Sequence, residues 1–252
     1  MEIPVRRLLI LLVTLVIVGC GSGAVAKSAM TIRVVRPIIS DGILPTGPVT
    51  SGQVSSELGV IACRGEYEPA SFVITAATGI DSLQVQANDL EGSGGVIPAR
   101  QIDIKVVKCW YQSSSKHQAA DKEYDKRALV PALLLNNDSL IKVNYEKKEN
   151  YLKVPVPAKG KYIWISDPDE KEGDNPPIPS EEFSIKDSPV LLPVNIPANT
   201  NKQFWLTIHV PDDAKPGTYS GRITLSAASA RTHLKLDLRV LPFELSKPYY
   251  TA

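Results

Sequence analysis

The sequence predicts an all-β fold: an antiparallel β-sandwich of immunoglobulin-like or jelly-roll-like type. Three observations lead there. Twenty prolines and sixteen glycines are spread through the 252 residues without clustering, which fits short segments joined by turns better than long helices. Apolar residues recur with a period of two in several short runs, as on half-buried strands. Strand patterns do not alternate with helical ones, as βαβ units would require. One sandwich over residues 31–245 and two small sandwiches in tandem both accommodate the pattern.

The chain begins with an address. Arg6 and Arg7 precede the apolar run Leu8 to Val18, which is shorter than the roughly 20 residues of a spanning helix but right for a signal-peptide core. The following "IVGC" resembles a bacterial lipobox, which makes residues 1–19 a lipoprotein-type signal peptide, Cys20 the lipidation site and residues 20–30 a tether. An acylated Cys20 would hold an exported domain on a bacterial membrane facing the periplasm or the exterior. Cleavage after "AVA" (Ala24 to Ala26), giving a secreted protein, also obeys the small-residue rule. If Cys20 carries lipid, Cys63 and Cys109 remain. An oxidising compartment permits a disulfide between them, and two buried free thiols are equally compatible.

The strands follow in order. "TIRVVRP" (Thr31 to Pro37) and "ASFVITA" (Ala70 to Ala76) are β-branched runs, and "IDIKVVKCWY" (Ile102 to Tyr111) sets Ile102, Ile104 and Val106 against Asp103, Lys105 and Val107. In His117 to Leu135 a helical turn is interrupted by Pro131, so a loop and then a strand are expected. Ser166 to Phe183 is acidic and proline-rich and reads as a surface excursion. "FWLTIHV" places Phe204, Leu206, Ile208 and Val210 on one face, and "HLKLDLRV" does the same with Leu234, Leu236, Leu238 and Val240. "RITLSA" (Arg222 to Ala227), after a Pro216-Gly217 turn, can pair with either. Pro242 is expected to stop the final strand, with Phe243 and Leu245 folding back as an apolar latch and residues 246–252 starting a linker.

Composition excludes several functions. A net charge of +1 and 6% aromatic residues give neither the basic footprint nor the stacking platforms of a nucleic-acid binder. Three cysteines with His117, His209 and His233 show no ligand spacing, so no metal or cofactor is expected. No nucleophile elbow, glycine-rich phosphate loop or nucleophile-base pair is recognised. The carboxylates of "DPDE" (Asp167 to Glu170) sit in a solvated stretch and are expected to titrate normally, so no catalytic residue is assigned. Around the turn "RGEYEP", Arg64 with Glu66 and Glu68 could form a salt bridge or face a partner, and Trp110, Tyr111, Trp164 and Trp205 could stack on a glycan or pack in the core or an interface.

The segments "GEYEPASFVITA", "IKVVKCWYQ", "LVPALLLNNDSLIKV" with "ENYLKV", and "FWLTIHVPDDAKPGTYSGRITL" together resemble the N-terminal β-sandwich of glycoside hydrolases similar to family 123. The most specific part is Pro216 to Gly221. The resemblance implies a sandwich preceding a (β/α)8 barrel that cleaves glycosidic bonds, in family 123 those of N-acetylgalactosaminides. That family's Asp-Glu catalytic pair belongs to the barrel, which needs around 250 residues of alternating strands and helices. Asp169-Glu170 lies in the sandwich region and is not a substitute. The expectation is a non-catalytic sandwich, separated in this chain from a C-terminal barrel partner. A stand-alone carbohydrate-binding or structural surface lipoprotein is the alternative.

Overall fold

The computed structural model describes residues 30–37, 42–112, 127–154, 161–165, 185–228 and 230–245. The signal segment, Cys20, His117, the acidic excursion and the residues beyond 245 lie outside them. Sixteen strands follow one another: β1 (Met30–Val35), β2 (Gln53–Val54), β3 (Glu57–Arg64), β4 (Tyr67–Ala76), β5 (Ile80–Ala87), β6 (Leu90–Gly92), β7 (Gly95–Ile97) and β8 (Ile102–Gln112), then β9 (Ala128–Leu135), β10 (Ile141–Asn144), β11 (Glu149–Val154), β12 (Lys161–Trp164), β13 (Val194–Ile196), β14 (Thr200–His209), β15 (Gly217–Ala227) and β16 (Ala230–Glu244). Helix is confined to the 3-10 turns Ala99–Gln101 and Asp138–Leu140 among the described residues.

Two sheets face each other. One runs β2-β1-β4-β14-β8-β9, and the other runs β13-β5-β15-β16-β3 with β6 and β7 attached at β15. A small sheet, β10-β11-β12, adjoins β8, where the Asn150 amide continues the strand ladder sideways. Its nitrogen donates to the Tyr111 carbonyl (2.7 Å) and its oxygen accepts from the Tyr111 N–H (2.9 Å). Among the described residues all pairings are antiparallel except that of β16 with β3, which is parallel.

The period-two reading places the core correctly. Phe204, Leu206 and Ile208 of β14 and Leu234, Leu236 and Leu238 of β16 are fully buried, and they pack in one cluster with Phe72 and Ile74 of β4 and Ile104 and Val106 of β8. That cluster spans both large sheets and takes in Ile141 of the small one. The two large sheets thus share a main core, beside which Val35, Ile43 and Val73 form a second, smaller cluster. β15 pairs with β16 and β5, not with β14, because β14 belongs to the opposite sheet.

Two prolines lie within strands. Pro131 is tolerated in β9, an edge strand whose register slips opposite Lys108 and Cys109. Pro242 does not end β16, contrary to the sequence expectation. The ladder to β3 slips between Val240 and Glu244, so the missing N–H falls where no regular rung is needed.

The turn-rich stretch Pro216 to Gly221 has a packing explanation. Tyr219 is buried with its hydroxyl donating to the Lys215 carbonyl at 2.8 Å. At Gly221, a Cβ would come within 2.5 Å of Leu90 Cδ2 and 2.6 Å of the Asp89 carbonyl oxygen. Gly221→Ala is therefore expected to cost about 1–3 kcal/mol through overpacking, read as a lower urea midpoint with unchanged m-value.

Candidate functional site

The residues singled out in the sequence are dispersed. β4, β14 and β8 run antiparallel with Glu68 opposite Ile208 and Ile208 opposite Ile102, so Glu66 and Glu68 sit at the Ile102 end of the sandwich. Trp110 and Tyr111 lie eight and nine residues further along β8, about 3.3 Å per residue away. Trp205 is in mid-sheet on the outer face, beside Ser71. It is half-buried in a small cavity shared with Pro37, Gly42 and Pro131. Trp110 packs partly against the core. The five residues do not form one flat platform.

Segment 42–50, in which the sequence shows no strand pattern, packs on that outer face at Val35 and Val73. Ile43 packs with Val35 and Val73, and Asn201 holds the segment by donating to the Leu44 and Gly47 carbonyls (3.1 and 2.9 Å).

The two cysteines are not bridged. Each is a buried thiol with its own surroundings: Cys63 at the end of β3, Cys109 on β8 in the opposite sheet, where its Sγ contacts the Ile43 carbonyl at 3.4 Å. Of the two arrangements left open by cysteine arithmetic, the structure has the two free thiols.

At the Glu66 end the chain is tightly tied. The Glu66 carboxylate accepts the Cys63 N–H at 2.8 Å and its thiol at 3.1 Å, and Gly65 and Glu66 exchange backbone hydrogen bonds with Val210. Gly65 is needed here: its φ is +73° and a Cβ would meet Asp212 Oδ1 at 2.6 Å. Burial, then the Glu66 carboxylate, pushes the Cys63 thiol up, and burial with the same charge pushes Glu68 up. Arg64 pairs with Glu244 of β16 at 2.8 Å, not with Glu66 or Glu68. Around this ion pair, within three residues of it along the chain, Ile61, Tyr67, Phe243 and Leu245 are 57%, 65%, 51% and 63% exposed. Phe243 and Leu245 therefore do not fold back as a latch. Glu66→Ala, which leaves the Cys63 N–H without its acceptor, is expected to cost about 1–3 kcal/mol in thermal unfolding.

The other end carries a polar cluster that sequence reasoning missed. Lys202 of β14 and Lys108 of β8 lie one position beyond the Gln203–Val107 rung, on the inward parity of Phe204 and Val106. Both reach one carboxylate: Asp138 Oδ1 accepts from Lys202 Nζ at 2.9 Å and from Lys108 Nζ at 3.2 Å, and Lys108 also donates to the Asp138 carbonyl at 2.8 Å. The three side chains are only 13–20% exposed. Burial alone would raise the Asp138 carboxyl, but the two ammonium groups outweigh it and hold it below the usual range. Burial pulls Lys108 down and Lys202 adds to the effect, Asp138 offsetting only part. The charged form is thus favoured at Asp138, where two cations face one anion, and disfavoured at Lys108, where burial dominates. Beside the cluster is a cavity of about 290 Å³ lined by Lys108, Lys202, Asn201, Thr200, Tyr145 and Cys109. Burial pushes the Cys109 thiol up to about 11 despite the lysines, so it is protonated at neutral pH. The signal available in the sequence was parity: both lysines continue apolar faces inward.

No protein-family model matches the chain, and no curated protein matches it. Among solved structures it is similar to a family 123 glycoside hydrolase from Clostridium perfringens, described as hydrolysing glycolipid glycans, with 15% sequence identity, a TM-score of 0.43 and 73% of this chain covered. The match takes in 23% of the solved chain, so this chain spans less than a quarter of that protein's length.

Proposed function

We propose that this chain is the exported, lipid-anchored, non-catalytic sandwich of a glycoside-hydrolase-like protein, and that it seats a (β/α)8 catalytic barrel at the end where β16 leaves the sandwich. The observation that carries this reading is the exposed apolar group Ile61, Tyr67, Phe243 and Leu245 around the Arg64–Glu244 tie. Exposed apolar side chains grouped in this way suit an interaction surface, and these lie within three residues of the Arg64–Glu244 tie near the end of β16. Tyr67 is already ordered by stacking on His209, with ring centroids 4.3 Å apart. The resemblance seen in the sequence supplies the occupant, a barrel acting on N-acetylgalactosaminides.

The test begins with the coding sequence beyond the Ala252 codon. In-frame continuation into βα repeats is the expected result, and an immediate stop codon would sink the proposal. In the full-length protein, Phe243→Ser with Leu245→Ser should separate the unfolding transitions of the two domains, and an unchanged single transition would count against this docking surface. The 252-residue chain alone is expected not to turn over an aryl N-acetylgalactosaminide. Cys20→Ser should release the protein from the membrane fraction, and retention there would refute the lipid anchor.

A further inference from the structure

We infer that the cavity beside Lys108 and Lys202 is a binding site for an oxyanion, the carboxylate or sulfate class. The ammonium groups stand side by side on adjacent strands at the inward end of the core, where like charges directly opposite destabilise a sheet. One carboxylate cannot neutralise two cations, so the cluster keeps a surplus positive charge. Three hydrogen bonds to Asp138 use half of the six ammonium N–H groups. The adjoining space, about 290 Å³, is close to the smallest ligand pockets and is lined by both lysines and Tyr145, while the Asn201 amide and Thr200 hydroxyl on its wall already donate to the Leu44, Gly47 and Pro197 carbonyls. An acceptor-only group of negative charge satisfies both deficits, of charge and of acceptors, in a way that a neutral ligand does not. The protonated Cys109 thiol is inert in this setting and lines the wall.

Both sources of such a group, a free inorganic ion and an acidic sugar, can be separated with sodium sulfate and sodium glucuronate as probes. The full chain is titrated with each against sodium chloride at matched ionic strength, and the melting temperature is followed. A saturable rise is expected with at least one probe, abolished in Lys202→Met. Saturation by glucuronate alone identifies an acidic sugar; saturation by sulfate identifies a small oxyanion. Asp138→Asn, which removes the competing carboxylate, is expected to lower the half-saturating concentration about tenfold, an outcome that loss of packing alone would not produce. Equal shifts in the wild type and Lys202→Met would mean a general salt effect and overturn the site, as would no shift with either probe. If Lys202→Met fails to fold, the Asp138→Asn comparison decides: an unchanged or higher half-saturating concentration overturns the site.

Discussion

Replacing Asp138 with asparagine is expected to destabilise the protein by about 3–5 kcal/mol, the range for leaving a buried ion-pair partner uncompensated. The carboxylate is held in place: Asn137 caps the short turn by accepting from the Ser139 N–H at 3.0 Å, and the Asp187 carboxylate accepts from the Asn136 and Asn137 N–H groups. The backbone that carries residue 138 is therefore fixed, and the two lysines lose their only shared counter-charge among the described residues. The pH dependence should change with it. Asp138 titrates below its ordinary 3.8 in the folded state, so its contribution is present above that value and is lost as pH falls through the lower folded one. Lys108 titrates below its ordinary 10.5, so the cost of keeping it charged is relieved as pH rises through its folded value. Chemical denaturation at a series of pH values should show a shallower acid limb in Asp138→Asn than in the wild type. Parallel curves would contradict this account.

Phe72→Ala is expected to cost about 3–5 kcal/mol. Phe72 and Phe204 are directly opposed on β4 and β14, stacked with centroids 5.1 Å apart at 16°, and each is 0% exposed. Truncation removes one ring from the middle of the core, flanked above and below by paired backbone that has little freedom to close the gap. Urea unfolding of the variant should give a midpoint near the limit at which the native baseline is still visible. A loss under about 1 kcal/mol would mean that the core had collapsed onto the vacancy.

How much of the fold was legible depended on whether a strand kept one wet face. β14 and β16 alternate strictly over their central residues, so the sequence showed both their existence and their inward side. β5 is harder: Ser82 has φ 52°, a local kink that lets Ile80 and Leu83 both turn inward and breaks the period of two. β3 carries Gly59 and the mixed run Val60 to Arg64, with Ile61 exposed while Ala62 and Cys63 are buried. Segment 42–50 has no regular period, and it is held by Asn201 from far along the chain. The Lys108–Asp138–Lys202 cluster was invisible for a related reason. Each residue alone reads as an exposed charge, and only strand register brings them together.

The parallel rung between β3 and β16 has a kinetic consequence. Residues 57–64 must wait for residues 235–244 before their sheet acquires that edge. Closing so long a loop is slow, and until it closes the β16 face that carries Leu234, Leu236 and Leu238 has no complete sheet around it. A nascent chain would thus remain unlocked along this edge until residue 244 has been synthesised.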